Sequence, residues 1–298
     1  MDASLSIGRK VSNYLSLIKF SHTVFALPFA LVGFVLGVFD GARQMPAPRL
    51  WQLFGMMLLC MIFARSAAMA FNRYLDRRFD ALNPRTAQRE IPAGVIPARQ
   101  ALLFTVLCCV GFVATTFFIN TLVFYLSFVA LFVILFYSYT KRITPLCHLV
   151  LGAGLALAPI GAYLVLTEHF ALLPLLFSFT VFTWVSGFDI IYALQDVDFD
   201  RSQQLNSIPA ALGLRGALIV STLLHVLSAA LVVYAGFYGH FHPLYWLGAG
   251  IFICLLTYQH LIVKPTDLSR VNMAFANTNG VASILFAVFT ITSLFLNR

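Results

Sequence analysis

The sequence predicts an all-α integral membrane protein in which nine transmembrane helices surround a central cavity. The first observation is composition, since 60% of the 298 residues are hydrophobic and only 10% are charged. Soluble domains carry roughly 25% charged residues, so this chain has too few to cover a water-facing surface, and most of its surface must face lipid. The second observation is nine apolar runs, each close to the roughly 20 residues that cross a bilayer as a helix.

The apolar runs divide the chain regularly. They cover approximately residues 20–39, 51–71, 101–119, 122–139, 146–166, 170–192, 217–238, 243–262 and 275–296. Short polar loops join them, apart from two long polar stretches at 72–100 and 193–216. The first run is interpreted as a retained helix rather than a signal peptide, because no small-residue cleavage site follows it and many further spans do. We therefore expect a single transmembrane domain over residues 1–298.

The distribution of basic residues predicts a cytoplasmic N-terminus. With that orientation, only Arg43, Arg49 and Arg298 of the 19 lysines and arginines lie outside, and Arg65 lies within the membrane. Such an imbalance between the two sides is what orients multispanning proteins, and it is typical of the cytoplasmic (inner) membrane. It also explains the formal net charge of +8, so nucleic acid is not an expected partner, whereas the lipid bilayer is.

A weak internal repeat relates spans 1–4 to spans 5–8 and leaves the ninth span outside it. The segments FALPFALVG at 25–33 and LALAPIGAY at 155–163 are alike. The two acidic clusters described next are also offset by a constant 120 residues. Internal repeats with a site at their interface are common among membrane proteins.

A first acidic cluster follows the second apolar run and reads Asn72-Arg-Tyr-Leu-Asp76-Arg-Arg-Phe-Asp80. Residues four apart in a helix share one face. Asn72, Asp76 and Asp80, which we call the first Asp motif, are therefore expected to project together from the end of the second span. Salt-bridged, solvated helix ends are the alternative interpretation of so many Asp and Arg residues.

A second acidic cluster ends the sixth run and reads Tyr192-Ala-Leu-Gln-Asp196-Val-Asp-Phe-Asp200. Tyr192, Asp196 and Asp200 form the second Asp motif, with the spacing of the first. Both spans end on one side, so four carboxylates are expected to converge at a cytoplasmic mouth, where they would repel one another without a cation. Mg²⁺ binds a few carboxylate oxygens and completes its octahedron with water and phosphate oxygens, so we predict Mg²⁺ as the cofactor.

Paired Asp motifs at the end of an apolar bundle indicate a substrate with a diphosphate head and a lipid tail. Negative charge accumulates on a departing diphosphate, and Mg²⁺ with nearby Arg or Lys stabilises that charge. The basic candidates are Arg73, Arg77, Arg78, Arg85, Arg89, Lys141, Arg142 and Arg201. An allylic diphosphate whose tail lies in the membrane fits this combination.

Two charged residues lie inside predicted spans, and helical phase assigns each to an Asp motif. Arg65 is seven residues before Asn72, and Asp189 is seven residues before Asp196. Intramembrane charges are expensive and are usually functional or paired. We expect both to line the cavity below the metal site, and opposite charges make them candidates to pair with each other. Asp198 points away from Asp196 in a helix and is therefore expected to be solvated or salt-bridged. His22, near the start of the first span, is interpreted as an interfacial or core histidine.

At these residues the sequence resembles the UbiA-type membrane prenyltransferases. The two Asp motifs, the segment Arg85-Thr-Ala-Gln-Arg89 followed by Pro92-Ala-Gly94, and the nine spans together carry the resemblance over essentially the whole chain. Segments 187–200 and 83–94 are most similar to the 4-hydroxybenzoate polyprenyltransferase branch, including its relatives in the futalosine route to menaquinone. Many relatives have proline where this chain has Glu90.

The resemblance implies Mg²⁺-dependent transfer of a polyprenyl group from its diphosphate to a hydroxylated aromatic carboxylate in ubiquinone or menaquinone biosynthesis. The implied metal ligands are Asn72, Asp76, Asp196 and Asp200, with Asp80 either a ligand or an organiser of the basic loop. The residues implied to face the diphosphate or the acceptor are Arg65, Arg89, Lys141, Arg142, Tyr192 and Asp189. Catalysis would depend most directly on Asp76, Asp196, Asp200 and Arg65.

Two alternatives remain open on the sequence alone. Haem O synthases carry a similar first motif and transfer a farnesyl group to haem. A membrane transporter is compatible with nine spans, a repeat and intramembrane charges, although transport sites usually lie near the midplane rather than at the membrane surface.

Overall fold

The chain folds almost entirely into α-helices. The computed structural model describes residues 12–17, 26–42 and 44–296, so that the start of the first predicted span, including His22, lies outside the described residues. Eight helices within the described ranges are long and apolar enough to cross a membrane, and Leu27–Ala42 is a shorter apolar helix. No named β-strand forms in these ranges, and the predicted all-α membrane fold is confirmed.

The nine helices follow the order of the apolar runs. They are α1 (Leu27–Gly37), α2 (Ala47–Leu82), α3 (Ala98–Phe117), α4 (Thr121–Thr140), α5 (Cys147–Thr167), α6 (Leu172–Ala193), α7 (Ile208–Tyr238), α8 (Pro243–Ile262) and α9 (Asn279–Leu296). Shorter elements extend several of them. Helix α1 is followed by a π-helical turn at Val38–Ala42, and α9 is preceded by a π-helical turn at Ala274–Thr278. Helix α6 is followed by a 3₁₀ turn at Leu194–Asp196 and then by a short helix at Val197–Ser202.

Both stretches predicted as long polar loops are partly helical. Helix α2 continues to Leu82, well beyond the apolar run, and ends where Asn83 adopts an extended backbone immediately before Pro84. A residue before proline disfavours the helical region, which explains the end point. Helix α7 begins at Ile208, where the Ser207 side chain caps the helix by accepting from the amide of Ala210.

The helices form a circuit of packed neighbours. Helix α4 packs against α2, α3 and α5. Helices α5, α6 and α7 pack in sequence, and α8 pairs with α9. Helix α9 contacts α1, and α1 packs against α5. Helix α6 is the most buried of the spans. An aromatic cluster fills the space between α1, α6 and α8, where the ring of Trp184 lies 5.4 Å from Phe29 and 5.6 Å from Phe252 between centroids.

Helices α1 and α5 cross at backbone contact. A Cβ atom added to Gly33 would lie 2.0 Å from the carbonyl oxygen of Pro159, so no other residue fits without moving a helix. Small residues allow this kind of close approach between membrane helices. The two residues belong to the segments 25–33 and 155–163, so the segments that the sequence relates by repeat pack directly on each other. The repeat itself stays a prediction.

An apolar cavity of about 350 Å³ lies among helices α2, α3, α4 and α5. Its wall includes Met57, Met61, Val123, Leu126, Leu155 and Ala158. Along α2 the lining runs from Met57 to Met69, which is about 18 Å at 1.5 Å per residue. Toward the end of the bundle that carries the Asp motifs, the cavity wall includes the polar residues Arg65 and Tyr137.

Candidate active site

The first Asp motif lies on the unbroken last turns of α2. The amide of Asn72 donates to Asp76 Oδ2 at 2.9 Å, and Arg142, just after α4, places Nη2 2.7 Å from Asp76 Oδ1. Asp80 pairs with Arg89, with 2.7 Å between Oδ1 and Nη1. The shared face predicted for the motif follows from this continuous helix, and each of its carboxylates is paired with a cation.

The loop after α2 is built around Asp80. The Thr86 hydroxyl donates to the Asp80 carbonyl at 3.0 Å, and Arg89 reaches back to its carboxylate. Glu90 accepts a hydrogen bond from Ser16 and so ties the helical segment at 12–17 to the loop. Gly94 has φ of 73°, a left-handed conformation that favours glycine. Asp80 therefore organises the basic loop, as one of the two predicted roles requires.

The second Asp motif meets that loop through Asp196. Arg85 forms a bidentate pair with it, with Nε 3.0 Å from Oδ1 and Nη2 2.5 Å from Oδ2. The Asn83 amide donates to the same carboxylate at 3.2 Å, and Arg85 Nη1 donates to the Tyr192 hydroxyl at 3.0 Å. One arginine thus joins the loop of the first motif to two residues of the second.

Asp200 is the most deeply buried of the four carboxylates. Its side chain is 0% exposed, with Lys141 Nζ 2.7 Å from Oδ1. The Ser207 hydroxyl donates to Oδ2 at 2.9 Å, and the Asn206 amide donates to the Lys141 carbonyl at 2.7 Å. Burial opposes the charge of Lys141, but the adjacent Asp200 carboxylate outweighs it and raises the pKa of the ammonium above its ordinary value. Lys141 therefore stays protonated at neutral pH.

The second motif does not follow a continuous helix, and the expectation of a single shared face is wrong there. Leu194–Asp196 forms a 3₁₀ turn, and Asp196 itself has φ of −106° and ψ of 5°. The next helix therefore starts in a new direction, which turns Asp200 into the protein. Asp198 lies exposed, in agreement with the solvated position predicted for it.

Asp189 pairs with His148, and the suggested pairing with Arg65 is wrong. His148 Nδ1 lies 2.6 Å from Asp189 Oδ2. Helices α5 and α6 are close enough for this because Gly152 has no side chain, and a Cβ added there would lie 2.2 Å from the Ser186 hydroxyl. Arg65 instead lines the apolar cavity on α2, with Tyr137 of α4 as an electrostatic neighbour.

Most predicted site residues converge on one end of the bundle. The first motif, the second motif, Arg89, Lys141 and Arg142 are linked there by ion pairs, while Arg65 and Asp189 lie deeper. Sequence reasoning gave no role to His148, Asn83 or Ser207. Asn83 and Ser207 each stand just before a turn or helix that has a proline near its start, and this pattern can be recognised in the sequence. No local pattern marks His148.

The oxygen ligands suit Mg²⁺, although not as an all-protein cage. Within the described ranges, no group of three or more His, Cys, Asp or Glu side chains is placed to hold one ion. Mg²⁺ is usually bound by one or two carboxylates together with substrate phosphates, so the adjacent Asn72 and Asp76 oxygens on one side and Asp196 on the other fit this ion. Asp80 Oδ2 is buried and accepts no hydrogen bond from the described residues, which leaves one oxygen for a cation.

The chain matches a known protein family and several known proteins. Residues 26–292 match the UbiA prenyltransferase family. The chain is 31% identical over 247 residues to a 4-hydroxybenzoate octaprenyltransferase of Aeromonas salmonicida, covering 80% of this chain and 82% of that protein. A 4-hydroxybenzoate octaprenyltransferase of Marinobacter nauticus is 31% identical over 233 residues, covering 78% of each.

Solved structures share the fold. The apo structure of a UbiA homolog from Aeropyrum pernix superposes with a TM-score of 0.81 and 30% identity, covering 92% of this chain and 98% of that one. A UbiA homolog from Archaeoglobus fulgidus bound to DMAPP and Mg²⁺ has a TM-score of 0.74 and 20% identity, covering 95% and 99%.

Proposed function

Because the chain belongs to the UbiA prenyltransferase family and is therefore a prenyltransferase, we propose that it makes quinone precursors. It transfers a polyprenyl group from a polyprenyl diphosphate to a hydroxylated aromatic carboxylate of the 4-hydroxybenzoate or dihydroxynaphthoate type. The observation that carries this proposal is the pair of Asp motifs, joined to basic residues, at one end of an apolar cavity. The names of the bacterial relatives support an aromatic acid as acceptor.

The donor's tail lies in the cavity among α2 to α5. Apolar side chains line about 18 Å of α2 there, and burial of a hydrocarbon tail stabilises binding by roughly 0.8 kcal/mol per CH₂. The diphosphate then lies at the end of the cavity, between the Asp motifs. Arg85, Arg89, Lys141 and Arg142 are the cations available to it, each now paired with a motif carboxylate.

Mg²⁺ is the proposed cofactor, held by Asn72, Asp76 and Asp80 of the first motif and by Asp196 and Asp200 of the second. When bound, it neutralises the charge that develops on the departing diphosphate. In its absence, Arg85, Arg89, Lys141 and Arg142 form ion pairs with the motif carboxylates. Arg85 and Arg142 then exchange their carboxylate partners for diphosphate oxygens when the substrate binds.

The acceptor lies below the diphosphate, between Arg65 and Asp189. Arg65 lines the polar end of the cavity and is the cation available to an aromatic carboxylate at that depth. Tyr192 closes the site from α6, where its ring packs against Phe275 in a tilted arrangement with 4.2 Å between centroids. The proposed location is the bacterial cytoplasmic membrane, with the site open to the cytoplasm, which follows from the positive-inside distribution.

The proposal is tested with purified protein in lipid nanodiscs and a radiolabelled polyprenyl diphosphate. Label should pass to 4-hydroxybenzoate or to a dihydroxynaphthoate with Mg²⁺ and should not pass after EDTA treatment. Haem is included as a third acceptor because haem O synthases share the first motif. Transfer to haem alone, or equal turnover with EDTA, would contradict the proposal.

A further inference from the structure

A buried imidazole holds a carboxylate below the second Asp motif. His148 and Asp189 are 2.6 Å apart, and their side chains are 4% and 22% exposed. Among the described residues, His148 is the only one that hydrogen-bonds or ion-pairs with Asp189. The two oxygens of Asp189 therefore differ, since Oδ2 is held by His148 while Oδ1 has no such partner.

The hydrogen bonds of His148 indicate its proton position. The backbone amide of Ile208, at the start of α7, donates to His148 Nε2 at 3.4 Å. A ring nitrogen that accepts carries no proton, so His148 donates from Nδ1 to Asp189. Asp189 is thus the hydrogen-bond partner of His148 on one side of the ring, and the start of α7 lies on the other. The other titratable groups around it are Tyr137 on α4 and Cys147 beside His148.

Asp189 lies on α6 seven residues before Asp196. Its side chain is 22% exposed, whereas its neighbours Phe188 and Ile190 are buried. Seven helical residues separate the two carboxylates, which places Asp189 about 10 Å deeper. Tyr137, which lines the apolar cavity, is an electrostatic neighbour of both Asp189 and Asp76.

We propose that Asp189, positioned by His148, is the base that accepts the proton lost by the aromatic ring. This inference rests on the proposed function. A ring carbon of the acceptor bonds to C1 of the prenyl group, while the C1–O bond breaks and its electron pair leaves with the diphosphate. The same ring carbon then gives its proton to Asp189 Oδ1, and the C–H electrons restore aromaticity. Protonated Asp189 returns the proton to water.

The geometry favours this carboxylate over those of the Asp motifs. Asp76, Asp80, Asp196 and Asp200 are each paired with Arg or Lys, whereas Asp189 is paired with His148 alone. The four motif carboxylates are also the proposed ligands of Mg²⁺, which leaves Asp189 as the deeper carboxylate available to accept a proton. His148 is a positioning residue in this role, since it fixes Oδ2 and leaves Oδ1 without a hydrogen-bond partner among the described residues.

The test uses the full-length protein in nanodiscs, with the acceptor deuterated at the ring carbon that is prenylated. In the wild-type enzyme, ionisation of the diphosphate limits the rate and deuteration leaves turnover unchanged. Asp189→Asn should lower turnover by about 10²–10⁴-fold, the usual contribution of a general base. It should also develop a primary deuterium isotope effect, because proton loss becomes limiting. Asp267→Asn, in an exposed loop, is the matched control and should behave as wild type.

His148→Gln, which retains an N–H donor, should lose less activity than His148→Leu, and both should bind the prenyl diphosphate with wild-type affinity. Retained binding also shows that a variant is folded. Wild-type turnover of the acceptor establishes the proposed function independently of the base. With that turnover present, full activity of Asp189→Asn, or a loss of activity without a ring isotope effect, would overturn the role of Asp189.

Discussion

The first Asp motif lies on an unbroken helix, whereas the second crosses a 3₁₀ turn, and the two motifs hold their carboxylates differently. In each motif the earlier aspartate is the more exposed, with 26% for Asp76 against 8% for Asp80, and 11% for Asp196 against 0% for Asp200. The later aspartates hold neighbouring loops in place through Arg89, Lys141 and Ser207. Equal spacing in the sequence thus leads to two environments within each motif, with a more exposed carboxylate at the earlier position and a buried carboxylate that holds a loop at the later one.

The largest effect is expected at the two earlier aspartates. Asp76→Asn and Asp196→Asn each remove a carboxylate proposed to bind Mg²⁺, whose charge stabilisation is worth several kcal/mol in such sites. Turnover should fall by about 10³-fold or more, since each 1.36 kcal/mol is a factor of ten. Steady-state kinetics measure this loss. Asp198→Asn, in the same motif but exposed, should remain fully active, and an equal loss in all three variants would contradict the assignment.

A change at a later aspartate should lower stability in addition to any loss of metal binding. Asp200→Asn leaves Lys141 beside a buried neutral group, and breaking a buried pair in this way costs about 3–5 kcal/mol. Thermal unfolding in detergent should show a clearly lowered Tm. The double variant Asp200→Asn/Lys141→Met removes the uncompensated charge and should recover most of that Tm. No recovery would mean that Asp200 does not act through Lys141.

The arginines of the two motifs should differ in their tolerance of lysine. Arg85 contacts both oxygens of Asp196 and also Tyr192, a geometry that a single ammonium cannot reproduce, whereas Arg142 makes one contact with Asp76. Arg85→Lys should raise the KM for the prenyl diphosphate by about 10-fold, since hydrogen bonds to charged groups contribute roughly 1.5–3 kcal/mol. Arg142→Lys should raise it less. The reverse order would show that the bidentate pair is unimportant for substrate binding.

The smallest effect is expected at Tyr192. Tyr192→Phe removes only the hydroxyl that accepts from Arg85 and keeps the ring on Phe275. A single neutral acceptor contributes about 0.5–1.5 kcal/mol, so kcat/KM should fall by less than about 10-fold. Tyr192→Ala, which also removes the ring, is the comparison variant. If Tyr192→Phe lost as much activity as Tyr192→Ala, the hydroxyl would have a larger role than holding Arg85.

The sequence predicted the helices well because length and hydrophobicity are local properties. The spacing of Asn72, Asp76 and Asp80 indicated that the second span continues as a helix beyond its apolar run, and α2 does extend to Leu82. The sequence missed the 3₁₀ turn at Leu194–Asp196, because spacings of four residues are compatible with an ordinary helix. The charged residues that meet at this end of the bundle could therefore be named from the sequence, while the burial of Asp200 could not.

The pairing of Asp189 with His148 could be recognised only from the structure. His148 lies 41 residues from Asp189, and the two meet only because Gly152 brings α5 against α6. No periodicity within either helix encodes that contact, so the sequence suggested Arg65 instead. The orientation of the N-terminus and the identity of the metal ligands remain predictions.

The crossing of α1 and α5 at Gly33 limits what this position can hold. The carbonyl of Pro159 lies where a side chain would begin, so the two helices pack with nothing between their backbones. Even a methyl group at position 33 would therefore wedge α1 away from α5 and loosen the bundle at that point.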